Sequence, residues 1–223
     1  MATPLNGDRS KIATIAVCQT NELVYAGTES GELLIWSFRP EEGGGNDVLC
    51  LEASHQIHYD RQSVHSLAVA HDGTVYSLST GVHIGDPAGI HRPTIVTFSY
   101  TANTVGTFTS FEALVASEKP TAMAVTPDGW LFTGHANGEI KIWSEGECTR
   151  TMSHHSDAIT RLIPSNFGSV FSGSQDGRIQ VYSSRGRRVR VLDTEPHPVV
   201  ALGVSLTPDI YTAVDGSNVL RVW

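Results

Sequence analysis

Apolar residues along this chain fall in short runs of four to eight, some alternating with polar residues and some continuous, and each run is bounded by Gly, Asn, Asp, Ser or Pro. Runs of that length and period predict β-strands, and no stretch has the period or length of a substantial helix. The clearest set predicts strands over 121–126, 130–135, 139–144 and 148–152, and a second set over 158–164, 169–174, 178–183 and 189–193. Four short antiparallel strands recur in the same order in both.

The recurrence extends through the chain. Residues 26–36 (AGTESGELLIW), 133–143 (TGHANGEIKIW) and 172–182 (SGSQDGRIQVY) align without gaps. Each reads as a small residue, Gly, a polar tight turn, and an alternating strand that ends in an aromatic. Two weaker copies run through 75–79 to 94–98, across an inserted loop, and through 209–223. The closing aromatics Trp36, Phe98, Trp143, Tyr182 and Trp223 mark a period near 40, lengthened between Trp36 and Phe98 by extra residues at 41–46 and 81–92. Five units follow, about 10–53, 60–112, 117–153, 154–194 and 195–223, within a single domain over 1–223.

A period near 40 carrying Gly-x-x-Asp-Gly-x-Ile-x-Val-Trp resembles the WD-repeat family over nearly the whole chain, with divergent repeats. The resemblance implies an all-β fold, a β-propeller of about five WD-like blades. It also implies a hydrogen-bonded chain in each blade, from a His before the first strand through a Ser or Thr in the second and an Asp in the next turn to a Trp in the third. The fourth unit matches with His155, Ser172, Asp176 and Tyr182. The third offers Glu118, Thr133, Asn137 and Trp143, and the first Asp8, Ala26, Ser30 and Trp36, so their networks are expected to be partial. Acids replace the expected His in four units, at Asp8, Asp60, Glu118 and Glu195.

Seven blades of this length would need about 280 residues, more than the 223 present. The ring is therefore expected to be self-closed with five blades, or to be part of a larger or incomplete ring. The last unit stops on its third strand at Trp223, and 1–5 could supply the missing outer strand.

Charge narrows the possible partners. The net charge of −8 and pI near 5.6 argue against broad non-specific binding to nucleic acid or anionic membrane. Arg185, Arg187, Arg188 and Arg190 form a local basic patch that suits an acidic protein; RNA is possible there but not favoured. Three scattered cysteines make neither a disulfide framework nor a zinc module. There is no signal-peptide core and no 18-residue apolar run, so the expectation is a cytoplasmic protein without membrane insertion, with the nucleus as another possible location.

Chemical motifs are sparse. There is no phosphate-binding Gly loop, no His or Cys spacing of a metal site, and no Gly-x-Ser-x-Gly elbow. No cofactor, metal, catalytic residue or small-molecule substrate is expected. The resemblance places the loops before first strands and between second and third strands on one face. That partner face would gather Asp8, Asp60, His83, Ile84, Ile90, Arg92, Glu118, His154 and Glu195. The reading is a non-catalytic interaction scaffold within a multiprotein assembly, eukaryotic in source. The alternatives are a propeller enzyme or small-ligand binder, and a substrate receptor of a cullin-type ubiquitin ligase. The last rests on likenesses to the Trp-Asp-x-Arg docking box at 35–39 and 181–185, both of which lack the Asp.

Overall fold

The structure, a computed structural model, describes residues 11–18, 20–40, 47–57, 63–79, 94–101, 104–105, 109–111, 120–145, 147–193, 197–205, 209–217 and 220–223. The described elements are all strands. The chain divides into two compact units, Met1–Glu112 and Ala113–Trp223.

In the first unit, β1 (Ile12–Cys18), β2 (Leu23–Thr28), β3 (Glu32–Arg39) and β4 (Val48–Gln56) form one antiparallel sheet in sequence order. The second sheet holds β5 (Val64–Val69), β6 (Thr74–Ser79) and β7 (Thr94–Thr101). Its outer position is divided between β8 (Thr104–Val105) and β9 (Thr109–Phe111), both paired with β7.

The second unit contains three sheets, again in sequence order. They are β10 (Pro120–Val125) to β13 (Glu147–Met152) through β11 (Leu131–His135) and β12 (Ile140–Ser144); then β14 (Ile159–Pro164), β15 (Ser169–Ser174), β16 (Arg178–Ser183) and β17 (Arg188–Asp193); then β18 (Val199–Val204), β19 (Ile210–Val214) and β20 (Leu220–Val222). The strands expected in the third and fourth repeats all form, each end within one residue of the sequence reading.

Consecutive sheets of a unit pack face to face, so most strands bury both faces, which explains why runs such as β11 are continuously apolar. One cluster in the second unit joins Phe132, Ile140, Ile142 and Met152 to Ile159, Leu162, Val170 and Tyr182. The next joins Phe171, Ile179, Val181 and Leu192 to Val199, Leu202 and Ile210. In the first unit Tyr25, Leu33 and Ile35 pack with Val64, Leu67 and Val75.

The Gly of the repeated small-Gly pair has a steric cause. A Cβ on Gly27 would lie 2.3 Å from Val64 Cγ1, one on Gly134 2.4 Å from Ile159 Cγ2, and one on Gly173 2.7 Å from Val199 Cγ1. A β-branched residue at the start of each following inner strand thus packs directly on the backbone of the sheet before it.

All five inner strands also carry a register shift at the same place, between Ile12 and Thr14, Val64 and Ser66, Pro120 and Ala122, Ile159 and Arg161, and Val199 and Ala201. Such bulges turn a side chain out of the ladder. Two of the bulged residues use that freedom to bond the neighbouring sheet. Thr121 Oγ1 donates to the Ile159 carbonyl at 2.5 Å, and Thr160 Oγ1 to the Val199 carbonyl at 2.6 Å.

Candidate functional site

The register aligns one position across the five second strands. Ala26, Ser77, Thr133, Ser172 and Thr212 pair in turn with Ile15, Leu67, Met123, Leu162 and Leu202, and all five are buried. In the third and fifth repeats this small residue meets the aromatic of the third strand.

In the fourth repeat the His155, Ser172 and Asp176 part of the expected chain forms. The His155 side chain is fully enclosed, with Nδ1 2.8 Å from Asp176 Oδ2 and Nε2 2.7 Å from Ser172 Oγ. An ionised carboxylate can only accept, so Nδ1–H donates to Asp176, and the Ser172 hydroxyl donates to Nε2. The same Asp176 oxygen accepts the Ser156 backbone N–H, while its other oxygen accepts that of Arg178. Burial pushes the Asp176 carboxyl up, but these N–H groups and His155 outweigh it and hold the group below its ordinary value. Burial also pushes His155 down, and this exceeds the opposing pull of Asp176. The pair is a neutral imidazole on a carboxylate.

Tyr182 closes this cluster. Its hydroxyl donates to Gln180 Oε1 at 3.1 Å, while Gln180 Nε2 donates to the His154 carbonyl. The His154 ring stacks on the phenol with centroids 5.9 Å apart. Burial pushes the phenol up to about 12, against the opposing influence of the Ser172 hydroxyl.

The third repeat departs from the expected pattern. The Trp143 indole N–H donates to Thr133 Oγ1 at 2.8 Å, and the imidazole that meets Thr133 is that of His135, with Nε2 at 2.9 Å. Asn137, expected in the chain, instead accepts the Glu139 backbone N–H within its own turn. His135 belongs to the second strand itself, two residues beyond Thr133. The sequence reading assigned His135 no place in the network, although its position two residues beyond Thr133 in the same strand was a usable signal.

The last repeat holds a contact that the sequence reading also missed. The Trp223 indole N–H donates to Thr212 Oγ1 at 3.1 Å. Thr212-Ala213 stands where the third and fourth repeats have Thr-Gly and Ser-Gly, and one additional residue before the aromatic obscured the match. In the first repeat Ala26 has no hydroxyl to offer Trp36, in keeping with a partial network.

The four arginines expected as one basic patch are divided by a bulge. Tyr182 pairs with Arg188 and Val181 with Arg190. Residues opposite one another in a ladder share a face while consecutive residues alternate, so Arg188 lies on the Tyr182 side and Arg190 on the Val181 side. The Tyr182 side faces the third repeat's sheet and the Val181 side faces the fifth. On the former side the Arg185 guanidinium lies 4.7 Å from the Trp130 ring centroid, and its carbonyl accepts from Arg150 at 3.1 Å. Arg187 is exposed in the same turn.

Of the expected partner face, His154 is described and exposed. Burial, Arg188 and Arg150 all hold its basicity down. Asp8, Asp60, His83, Ile84, Ile90, Arg92, Glu118 and Glu195, and the proposed closing segment 1–5, lie outside the described residues. At the first docking-box likeness, Arg39 is engaged by Glu52 through three guanidinium contacts of 2.7, 2.8 and 3.0 Å. Among the described residues no three His, Cys, Asp or Glu side chains group as a metal site, and no helix is long and apolar enough to cross a membrane.

Comparison with known proteins bears on the repeat. The family model described as WD domain, G-beta repeat, matches residues 146–183, the span that holds β13 to β16 and the complete His155 network. No curated protein matches the chain by sequence. Among solved structures 1254 chains match, one of them in the crystal structure of the mitotic checkpoint complex, with 18% identity and a TM-score of 0.68. That alignment covers 97% of this chain and 62% of the other, so the chain spans less than two thirds of its neighbour's length.

Proposed function

We propose that this chain, a WD-repeat protein of β-propeller architecture, is a non-catalytic interaction scaffold, a subunit that holds other proteins in a stable complex. The observation that carries the reading is the fate of its chemically capable side chains. His155, Asp176 and Ser172, the residues nearest in type to an acid-base set, have enclosed side chains where the loop before β14 meets β15 and its following turn, and are joined to each other and to backbone N–H groups. They brace the blade, and the rigid blade in turn displays loops, where recognition usually resides.

The likeness to a chain of the mitotic checkpoint complex supports a place in a multiprotein assembly. Because one fold hosts many functions, that support extends to the kind of role and no further. A cytoplasmic setting, with Cys18, Cys50 and Cys148 as separate thiols, belongs to the same proposal.

The test is gentle purification of the tagged native protein, with mass spectrometry of everything retained. Named partners in fixed stoichiometry are expected. A chain that elutes alone and turns over a substrate or retains a tight ligand would overturn the scaffold reading in favour of a propeller enzyme or ligand binder.

A further inference from the structure

The second unit gathers cations along one seam, where no ion pair holds them among the described residues. Arg150 on the outer strand β13, Arg185 and Arg187 in the β16–β17 turn, and Arg188 at the start of β17 collect where the fourth repeat's turn packs on the third repeat's sheet. A Cβ on Gly186, in that turn, would lie within 2.3 Å of Ile142 and 3.3 Å of Arg150, so the two sheets are in intimate contact there. Among the described residues none of the four arginines forms an ion pair.

Two of the guanidiniums are already positioned. Arg150 is held by the Arg185 carbonyl, and Arg185 by the Trp130 ring. A pre-positioned planar cation loses less freedom when it takes a carboxylate than a loose one does. Arg188 stands opposite Tyr182, on which the His154 ring stacks, and both Arg188 and Arg150 depress the basicity of His154. Beside them, β17 is the last strand of its sheet, and an outer edge offers backbone N–H and C=O groups to an extended chain. Its exposed residues alternate in kind, with Arg188 and Arg190 between and beside Val189 and Val191.

We infer that the seam of Arg150, Arg185 and Arg188, with the free edge of β17, is a docking site for an extended acidic segment of a protein partner that carries apolar residues between its acids. The inference rests on the scaffold reading and names the chemistry of one partner. A protein segment fits better than RNA, because the cations occupy a short seam on a chain of net charge −8, which repels a long polyanion beyond it. The exposed valines also favour side chains over a phosphate backbone.

The experiment titrates the full chain with a fluorescent peptide of alternating Glu and Val, the same peptide with Gln for Glu, and an oligouridine. The Glu peptide is expected to bind and the Gln peptide to fail. The double variant Arg150→Gln with Arg188→Gln is expected to weaken binding about tenfold, and Arg161→Gln, which removes an exposed charge on β14, to leave it unchanged. The lysine pair Arg150→Lys with Arg188→Lys should recover part of the loss, and unfolding curves of all variants check that the fold survives. No binding of the Glu peptide, an equal loss in Arg161→Gln, or tighter capture of the RNA would each overturn the proposal. Co-purification with the double variant separates this from the scaffold reading: partners kept by both native and variant chains reject the seam alone, and a native chain without partners rejects the scaffold.

Discussion

A histidine enclosed beside a carboxylate makes this protein sensitive to acid. His155 titrates below its ordinary 6.5 when folded, so the unfolded chain takes up a proton that the native state resists. Stability is therefore full above about pH 6.5 and falls as the pH drops from there towards the lowered native value. Asp176, held below 3.8, adds a second loss only as the pH falls from 3.8 through its native value. Urea unfolding between pH 7.5 and 5 should show the first decline, and His155→Gln should lower stability at pH 7.5 but flatten the slope. A slope unchanged by that substitution would reject the assignment. Thr133→Val tests the third repeat: it leaves the Trp143 N–H and the His135 imidazole without their hydroxyl, at a cost of about 1–3 kcal/mol. Asn137→Ala, which removes only an exposed turn contact, should cost under about 1 kcal/mol.

At the scale of the element, the sheets are coupled by two devices that repeat with the sequence. One is the bare backbone of Gly134 and Gly173 beneath Ile159 and Val199; the other is the bulged threonine hydroxyl that reaches the next inner strand. Gly173→Ala should destabilise by about 1–3 kcal/mol, because neither the backbone nor a β-branched neighbour can yield cheaply. Gly203→Ala is the contrast: its Cβ would meet nothing nearer than Tyr211 Cβ at 3.9 Å, so the change should be neutral or slightly stabilising in the same unfolding assay. Thr160→Val, which keeps the shape and removes the bond to Val199, should cost about 1 kcal/mol. Equal effects for Gly173→Ala and Gly203→Ala would show that close approach is not what selects the glycine.

For the molecule as a whole, the partner site expected on the loop face gives one direct test. Deletion of 83–91 should abolish capture of the partners that co-purify with the native chain, with the unfolding midpoint measured to check that the variant folds. Undiminished capture by a folded variant would move recognition away from that insertion. The basic seam would then become the leading surface, and its binding should weaken steeply with salt, as expected for exposed charges.

The repeats were legible in the sequence because their causes are local. A tight polar turn, a two-residue alternation and a closing aromatic act within about ten residues, and so the third and fourth sheets appear within one residue of the sequence reading. The His155, Ser172 and Asp176 chain was also legible, since each member occupies its repeat position. The tertiary structure decided the rest. His135 replaces a loop histidine in the third repeat because any buried imidazole that reaches Thr133 satisfies the same hydroxyl, whichever strand or loop supplies it. The division of Arg188 from Arg190 follows from one bulged residue in a register that sequence spacing does not reveal. The gathering of Arg150 with Arg185 and Arg188 brings together residues 35 and more positions apart, and only the packing of one sheet on the next creates it.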